Sequence, residues 1–293
     1  MVSPARLALA LTALMAALPG AVPARADSAP MVSSEDISSP WTAPSGTAVR
    51  LLAGPRDGEI VTGGVQIRLG AGWKTYWRYP GDSGVPPHFD WSGSDNVTGV
   101  EILWPAPVRF DDGGSFSIGY KKDVTLPFRV TPRDPGKPVD LRLTLDFAVC
   151  AKICQPATAE VTLVLPAGGA PTTPPALAAA LSTVPQLATF GAGGATALET
   201  ADLGPAPAGE HGQTIRVVAR VANPDTADLF VEGPSEDWAL PLPAREPGPD
   251  GQTVFHLPVE GVPKGADIAA TRLRFTLVDG TRAVEVDAPL SAR

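Results

Sequence analysis

The sequence predicts an all-β protein made of two immunoglobulin-like β-sandwich domains in series. Apolar residues recur with a period of two in short runs, and clusters of turn-forming residues separate the runs. With 33 prolines and 30 glycines among 293 residues, long helical patterns are nearly absent. The length has room for two domains of ordinary size.

Residues 1–26 read as a signal peptide. Arg6 supplies the positive start, Leu7 to Leu18 a short apolar run, and Ala24-Arg25-Ala26 the small residues of a cleavage site. The run is too short to span a bilayer, and no later stretch approaches the roughly 20 apolar residues a spanning helix needs. The expected location is therefore an oxidising, extracytoplasmic compartment, with no membrane span after cleavage. Residues 27–46, rich in Ser and Pro, read as a flexible lead-in.

Residues 47–166 form the first predicted sandwich. Val65, Ile67 and Leu69 alternate with Gln66 and Arg68, and Val124, Leu126, Phe128 and Val130 with Thr125, Pro127 and Arg129. Leu141, Leu143, Leu145, Phe147 and Val149 alternate with Arg142, Thr144, Asp146 and Ala148. Residues 167–190 follow Pro166 with Ala167-Gly168-Gly169-Ala170-Pro171 and Pro174-Pro175, a linker signature, with a possible short helix from Ala176 to Leu181. Residues 191–293 resume the strand pattern. Ile215, Val217, Ala219 and Val221 give one face, Phe255, Leu257 and Val259 a second, and Leu273, Phe275 and Leu277 a third. Asp279-Gly280 reads as a two-residue hairpin leading into Val284 and Val286.

The charge is −8, or −10 once Arg6 and Arg25 are removed, leaving 21 basic residues against 31 acidic ones. That balance argues against nucleic acid, whose binding rests on clustered Lys and Arg. The two cysteines are expected to pair, Cys150 with Cys154. Extending the alternation from Leu141 places Cys150 on the polar face with Arg142, Thr144 and Asp146. Working back from Val161, Leu163 and Leu165 places Cys154 with Thr158, Glu160 and Thr162. Both sulfurs are thus expected on the outer side of a sheet, flanking the turn Ala151-Lys152-Ile153.

Three roles remain open for the pair. As a staple it closes a loop so small that the unfolded chain loses only about 2 kcal/mol of entropy. As a redox couple it needs an exposed thiolate, and Lys152 between the sulfurs is a candidate to stabilise one. As a metal site it offers two thiolates to Cu(I). A zinc site needs two further ligands, and His88, His211 and His256 are far apart in sequence. No metal and no organic cofactor is expected from the sequence. Five of six tryptophans and all three tyrosines lie between Trp41 and Tyr120, including Tyr76, Trp77 and Tyr79. The run from Phe110 to Phe116 reads as a hairpin loop with glycines at its tip and an aromatic at each end.

The segment Phe147-Ala148-Val149-Cys150-Ala151-Lys152-Ile153-Cys154-Gln155-Pro156 resembles the N-terminal periplasmic domain of DsbD-type thiol:disulfide interchange proteins, in particular the ScsB-like branch. Tyr76 to Gly84, Ile102 to Pro107 and Ile118-Gly119-Tyr120 support the resemblance in the same order. It implies an immunoglobulin-like domain exchanging electrons through Cys150 and Cys154 with thioredoxin-like periplasmic proteins. It implies a protective cap at Arg109 to Phe116, with Phe110, Phe116, Tyr76, Trp77 and Tyr120 as cap or shielding residues. Relatives continue into a membrane domain and a terminal thioredoxin domain, patterns these 293 residues do not carry. The expected electron donor is therefore a separate membrane protein. The rival expectations are a non-catalytic interaction module with a structural disulfide, and a Cu(I)-binding copper-tolerance protein.

Overall fold

A computed structural model describes residues 37–111, 113–206 and 211–292. The expected signal peptide and residues 27–36 of the expected lead-in lie outside them. Residues 37–46 of that lead-in make two isolated bridges to the first sandwich. Ser38 bridges Leu52 and Thr42 bridges Val49, and the Trp41 ring lies under the guanidinium groups of Arg50 and Arg68. Two isolated bridges leave no periodic pattern to read.

The first domain comprises β1 (Ala48–Asp57), β2 (Ile60–Arg68), β3 (Lys74–Gly81), β4 (His88–Asp90), β5 (Val97–Ile102), β6 (Val108–Asp111), β7 (Phe116–Tyr120), β8 (Val124–Pro132), β9 (Val139–Cys150) and β10 (Cys154–Leu165). One sheet runs β1-β2-β8-β5 and the other β10-β9-β3-β7-β6, with β4 paired to β9. The alternating positions supply the core between them. Val49, Leu51, Val65, Ile67, Leu126 and Phe128 come from the first sheet, and Trp77, Ile118, Leu141, Leu143, Leu145 and Val161 from the second. Each such side chain contributes about 1.5–3 kcal/mol on burial.

A short helix, α1 (Pro175–Leu181), opens on a proline, where the missing N–H costs nothing. It packs on β8 and β2 through buried Leu177. Thr125 and Pro127, on the outer face of β8, are buried as a result.

The second domain comprises β11 (Gln186–Leu187), β12 (Ala197–Pro205), β13 (Gln213–Arg220), β14 (Asp228–Glu232), β15 (Ala244–Pro247), β16 (Thr253–Pro258), β17 (Arg272–Asp279), β18 (Arg282–Pro289) and β19 (Ser291–Ala292). Its sheets run β11-β18-β17-β14 and β15-β16-β13-β12-β19, around Ile215, Val217, Leu229, Phe255, Leu257, Leu273, Phe275 and Leu277. The β17–β18 turn is Gly280-Thr281, one residue later than the Asp279-Gly280 signal suggests, since Asp279 still pairs with Arg282. Asp279 is held in the strand by its own carboxylate. It accepts from Thr196 Oγ1, from the backbone N–H groups of Ala222 and Asn223, and from Asn223 Nδ2.

One irregularity shapes the site. β3 pairs with β7 at Thr75–Tyr120 and Tyr76–Gly119, then resumes only at Gly81–Ser117. The four residues Trp77 to Pro80 thus face one on β7, a bulge that swings them out of the ladder. They reach the second domain. The Trp77 ring meets Phe230 at 5.7 Å, Arg78 binds Glu232 and Glu285, and Tyr79 Oη donates to the Leu240 carbonyl at 2.5 Å.

Candidate functional site

β9 and β10 form a long hairpin in unbroken antiparallel register, from Val139–Leu165 to Cys150–Cys154 at the tip. The register sets the two cysteines directly opposite one another, with Cα atoms 4.1 Å apart, and they form a disulfide. Ala151, Lys152 and Ile153 close the turn and are exposed.

The sequence places both sulfurs on the outer face of the sheet, and the face is the one observed. Cys154 shares it with exposed Thr158, Glu160 and Thr162. The exposure differs, however: Cys150 is only 1% exposed, while Cys154 is open to solvent. The outer face is covered at Cys150 because neighbouring strands contribute a small apolar cluster of Tyr76, Phe110, Ala148 and Cys150.

Tyr76 reaches the site because β3 lies next to β9, with Thr75 opposite Val149 and Lys74 opposite Cys150. Thr75 Oγ1 donates to the Ala148 carbonyl at 2.9 Å and fixes this approach. The Tyr76 hydroxyl lies 2.9 Å from Cys150 Sγ and 3.3 Å from Cys154 Sγ. Burial pushes the Tyr76 phenol above its ordinary range, so at neutral pH the hydroxyl keeps its proton and is a donor to either sulfur. Lys74 Nζ sits 4.7 Å from the centre of the Phe110 ring and Lys121 Nζ 5.3 Å. Burial and the Lys121 charge lower the Lys74 ammonium, against an opposing pull from Asp111. A cation over an aromatic face is attracted by the ring quadrupole, so the two lysines help hold Phe110 over Cys150.

On the exposed side, an open groove of about 490 Å³ runs beside Cys154, lined among others by Val85, Pro86, His88, Ala148 and Pro156. Ile153 (73% exposed) and Val85 (55%) add apolar surface at the hairpin tip and along the groove. Larger cavities of about 550, 610 and 650 Å³ contain neither cysteine. Among the described residues, no group of three or more His, Cys, Asp and Glu side chains is placed to hold a metal ion.

Residues 43–166 match the family model described as "Thiol:disulfide interchange protein DsbD, N-terminal". The first domain is a DsbD-type N-terminal domain. Residues 183–293 match a domain of unknown function (DUF8393). The fold is similar, across 87% of this chain and 99% of the other, to the crystal structure of the N-terminal periplasmic domain of ScsB from Proteus mirabilis, with a TM-score of 0.65 at 19% identity. That likeness spans both sandwiches and concerns their fold. No curated protein matches the sequence. Among the described residues, no helix is long and apolar enough to cross a membrane.

Of the five aromatic residues expected to shield the sulfurs, two, Tyr76 and Phe110, lie in the buried cluster with Cys150. Trp77, next to Tyr76 on a strand, points to the opposite face and is buried in the sandwich core. Tyr120 is buried in that same core, and its hydroxyl donates to the Pro105 carbonyl at 2.9 Å. Phe116 is 42% exposed at the far end of the β6–β7 hairpin and lies outside the sulfur cluster. The hairpin tip is built for a tight reversal, with Gly113 and Gly114 both at positive φ and their N–H groups donating to Asp111 Oδ1. The sequence reading missed Lys74, although its place two residues before Tyr76 on a strand puts it on the same face. It also missed His88, which reaches the groove because β4 pairs with β9.

Proposed function

We propose that this protein is a periplasmic thiol–disulfide exchange protein, of the protein-disulfide reductase type. It passes reducing equivalents from a separate membrane electron donor through Cys150 and Cys154 to thioredoxin-like partners. The observation that carries the reading is the asymmetry of the disulfide. One sulfur is open beside an apolar groove, and the other lies under a tyrosine whose hydroxyl reaches both.

In the reduced protein, Cys154 is the accessible nucleophile. Its thiolate attacks one sulfur of the partner disulfide, that S–S bond breaks, and the partner's other sulfur leaves as a thiolate. Cys150 then attacks Cys154 Sγ, which releases the partner's second thiolate and restores the Cys150–Cys154 bond. Two electrons and two protons pass to the partner, and no cofactor is needed. The Tyr76 hydroxyl donates to whichever sulfur carries negative charge, and such bonds are about twice as strong as neutral ones. Tyr76 and Phe110 keep Cys150 from unproductive partners while Cys154 samples the groove side.

A Cys150→Ala variant lacks the resolving sulfur. It is expected to trap a covalent complex with a thioredoxin-like protein in periplasmic extract, visible as a reductant-sensitive band. The absence of any trapped species would overturn the proposal. The burial of Cys150 favours one second reading, a structural bridge in an interaction module. That reading expects a disulfide untouched by mild reductant and full biological activity when both cysteines are replaced by alanine.

A further inference from the structure

The strands that cover Cys150 are also the strands that grip the second domain. On β6, Phe110 lies in the sulfur cluster, while its neighbour Arg109 crosses to the second domain. Arg109 Nε donates to Asp228 Oδ2 at 3.0 Å and Nη2 to Asp228 Oδ1 at 2.6 Å, a two-pronged pair, and both Nη atoms donate to the Pro243 carbonyl at 3.2 Å. On β3, Tyr76 touches the sulfurs, while Arg78 donates to Glu232 and Glu285 at 2.5–3.1 Å. Phe110 and Arg109 are neighbours on β6 and face opposite ways, and Arg78 lies two residues beyond Tyr76, inside the β3 bulge, so each shielding aromatic is within two residues of an arginine anchored 119 to 207 residues away in sequence. Arg–carboxylate forks are directional as well as strong, and both arginines are largely screened from solvent.

We infer that the second domain is a brace for the shield: Arg109 and Asp228, together with Arg78 and its two glutamates, are positioning residues that hold Phe110 and Tyr76 over Cys150 and so set how readily the disulfide opens. The inference deepens the exchange reading and gives the second domain a part in it. Loosening the brace lets β6 and β3 fluctuate, uncovers Cys150 Sγ, and frees the two sulfurs to separate.

The test is the rate at which dithiothreitol reduces Cys150–Cys154 in the folded, full chain. One dithiothreitol thiolate opens the protein S–S bond to a mixed disulfide. Its second thiol displaces the remaining protein sulfur, and the reagent leaves as a cyclic disulfide with two electrons and two protons transferred. Asp228→Asn removes the charge from the fork and is expected to speed reduction about fivefold, close to 1 kcal/mol of opening free energy at 1.4 kcal/mol per tenfold. Asp228→Glu, which can rebuild the fork, should return most of the way to the parental rate. Arg272→Gln breaks an exposed pair with Asp287 in the second domain, neither of them a partner of Arg78 or Arg109, and should leave the rate unchanged. Unfolding midpoints measured alongside separate local opening from global loss of stability.

Equal rates for the parent and Asp228→Asn overturn the brace. So does an acceleration that Arg272→Gln shares or that Asp228→Glu fails to reverse. A parental bridge that resists reductant while the Asp228→Asn bridge yields supports the brace and counts against the exchange reading. A bridge that resists in both overturns both.

Discussion

Replacing Tyr76 with phenylalanine isolates the polar contact that its hydroxyl makes to the sulfurs. The ring that covers Cys150 stays, and only the hydroxyl at 2.9 Å from Cys150 Sγ and 3.3 Å from Cys154 Sγ is lost. A hydrogen bond to a charged group contributes about 1.5–3 kcal/mol and one between neutral groups about 1 kcal/mol. Losing the hydroxyl therefore raises the thiolate relative to the thiol by about 0.5–2 kcal/mol. At 1.4 kcal/mol per tenfold, the thiolate fraction below the thiol's titration falls about two- to thirtyfold. The assay is alkylation of the reduced protein by iodoacetamide as a function of pH, with thiolate ultraviolet absorbance as a second probe. Slower alkylation at neutral pH that converges with the parent at high pH is the expected result. Identical pH profiles for parent and variant would refute the assignment of Tyr76 as thiolate donor.

Two further outcomes test the scaffold. Gly119→Ala puts a methyl carbon 2.0 Å from the Thr75 carbonyl oxygen and 2.8 Å from Tyr76 Cα. The overlap should cost at least about 1–3 kcal/mol in urea unfolding and, by displacing Tyr76, should also speed reduction of the disulfide; unchanged stability would contradict the close approach of β7 to β3. Burial raises the Asp279 carboxyl, but the hydrogen bonds from Ala222, Thr196 and Asn223 outweigh it and hold the group below its ordinary range. A lowered carboxylate contributes stability that is fully present above about pH 4, the unfolded value, and is lost as pH falls through the folded one. Asp279→Asn should therefore destabilise by about 2 kcal/mol at pH 7, with the gap to the parent closing towards pH 3; a gap constant in pH would contradict the carboxylate's role.

Much of this architecture is legible in the sequence, because the pattern that defines a half-buried strand is local. The alternation from Leu141 to Val149, and again from Val161 to Leu165, fixes which way each side chain faces and so puts both cysteines on the outer face of the β9–β10 hairpin. What covers that face is not local. Tyr76 and Phe110 come from strands 74 and 40 residues upstream of Cys150, and only the β9-β3-β7-β6 pairing brings them there. Proximity in sequence makes Trp77 and Tyr120 resemble shielding residues, yet alternation alone separates Tyr76 from Trp77, and that signal was available. The bulge from Trp77 to Pro80 has no counterpart in the hydrophobic period. The docking of Arg78 on the second domain is not readable without it.

The reduction potential of Cys150–Cys154, measured by equilibration with glutathione or dithiothreitol, bears most directly on whether the pair trades electrons. Structural disulfides generally lie below about −300 mV, and exchanging ones above it. A pair with one open sulfur and a hydroxyl poised to stabilise its thiolate should fall above that mark and equilibrate reversibly in the folded protein. A potential well below it, or reduction only after unfolding, would mean that the bridge is a fixture of the hairpin.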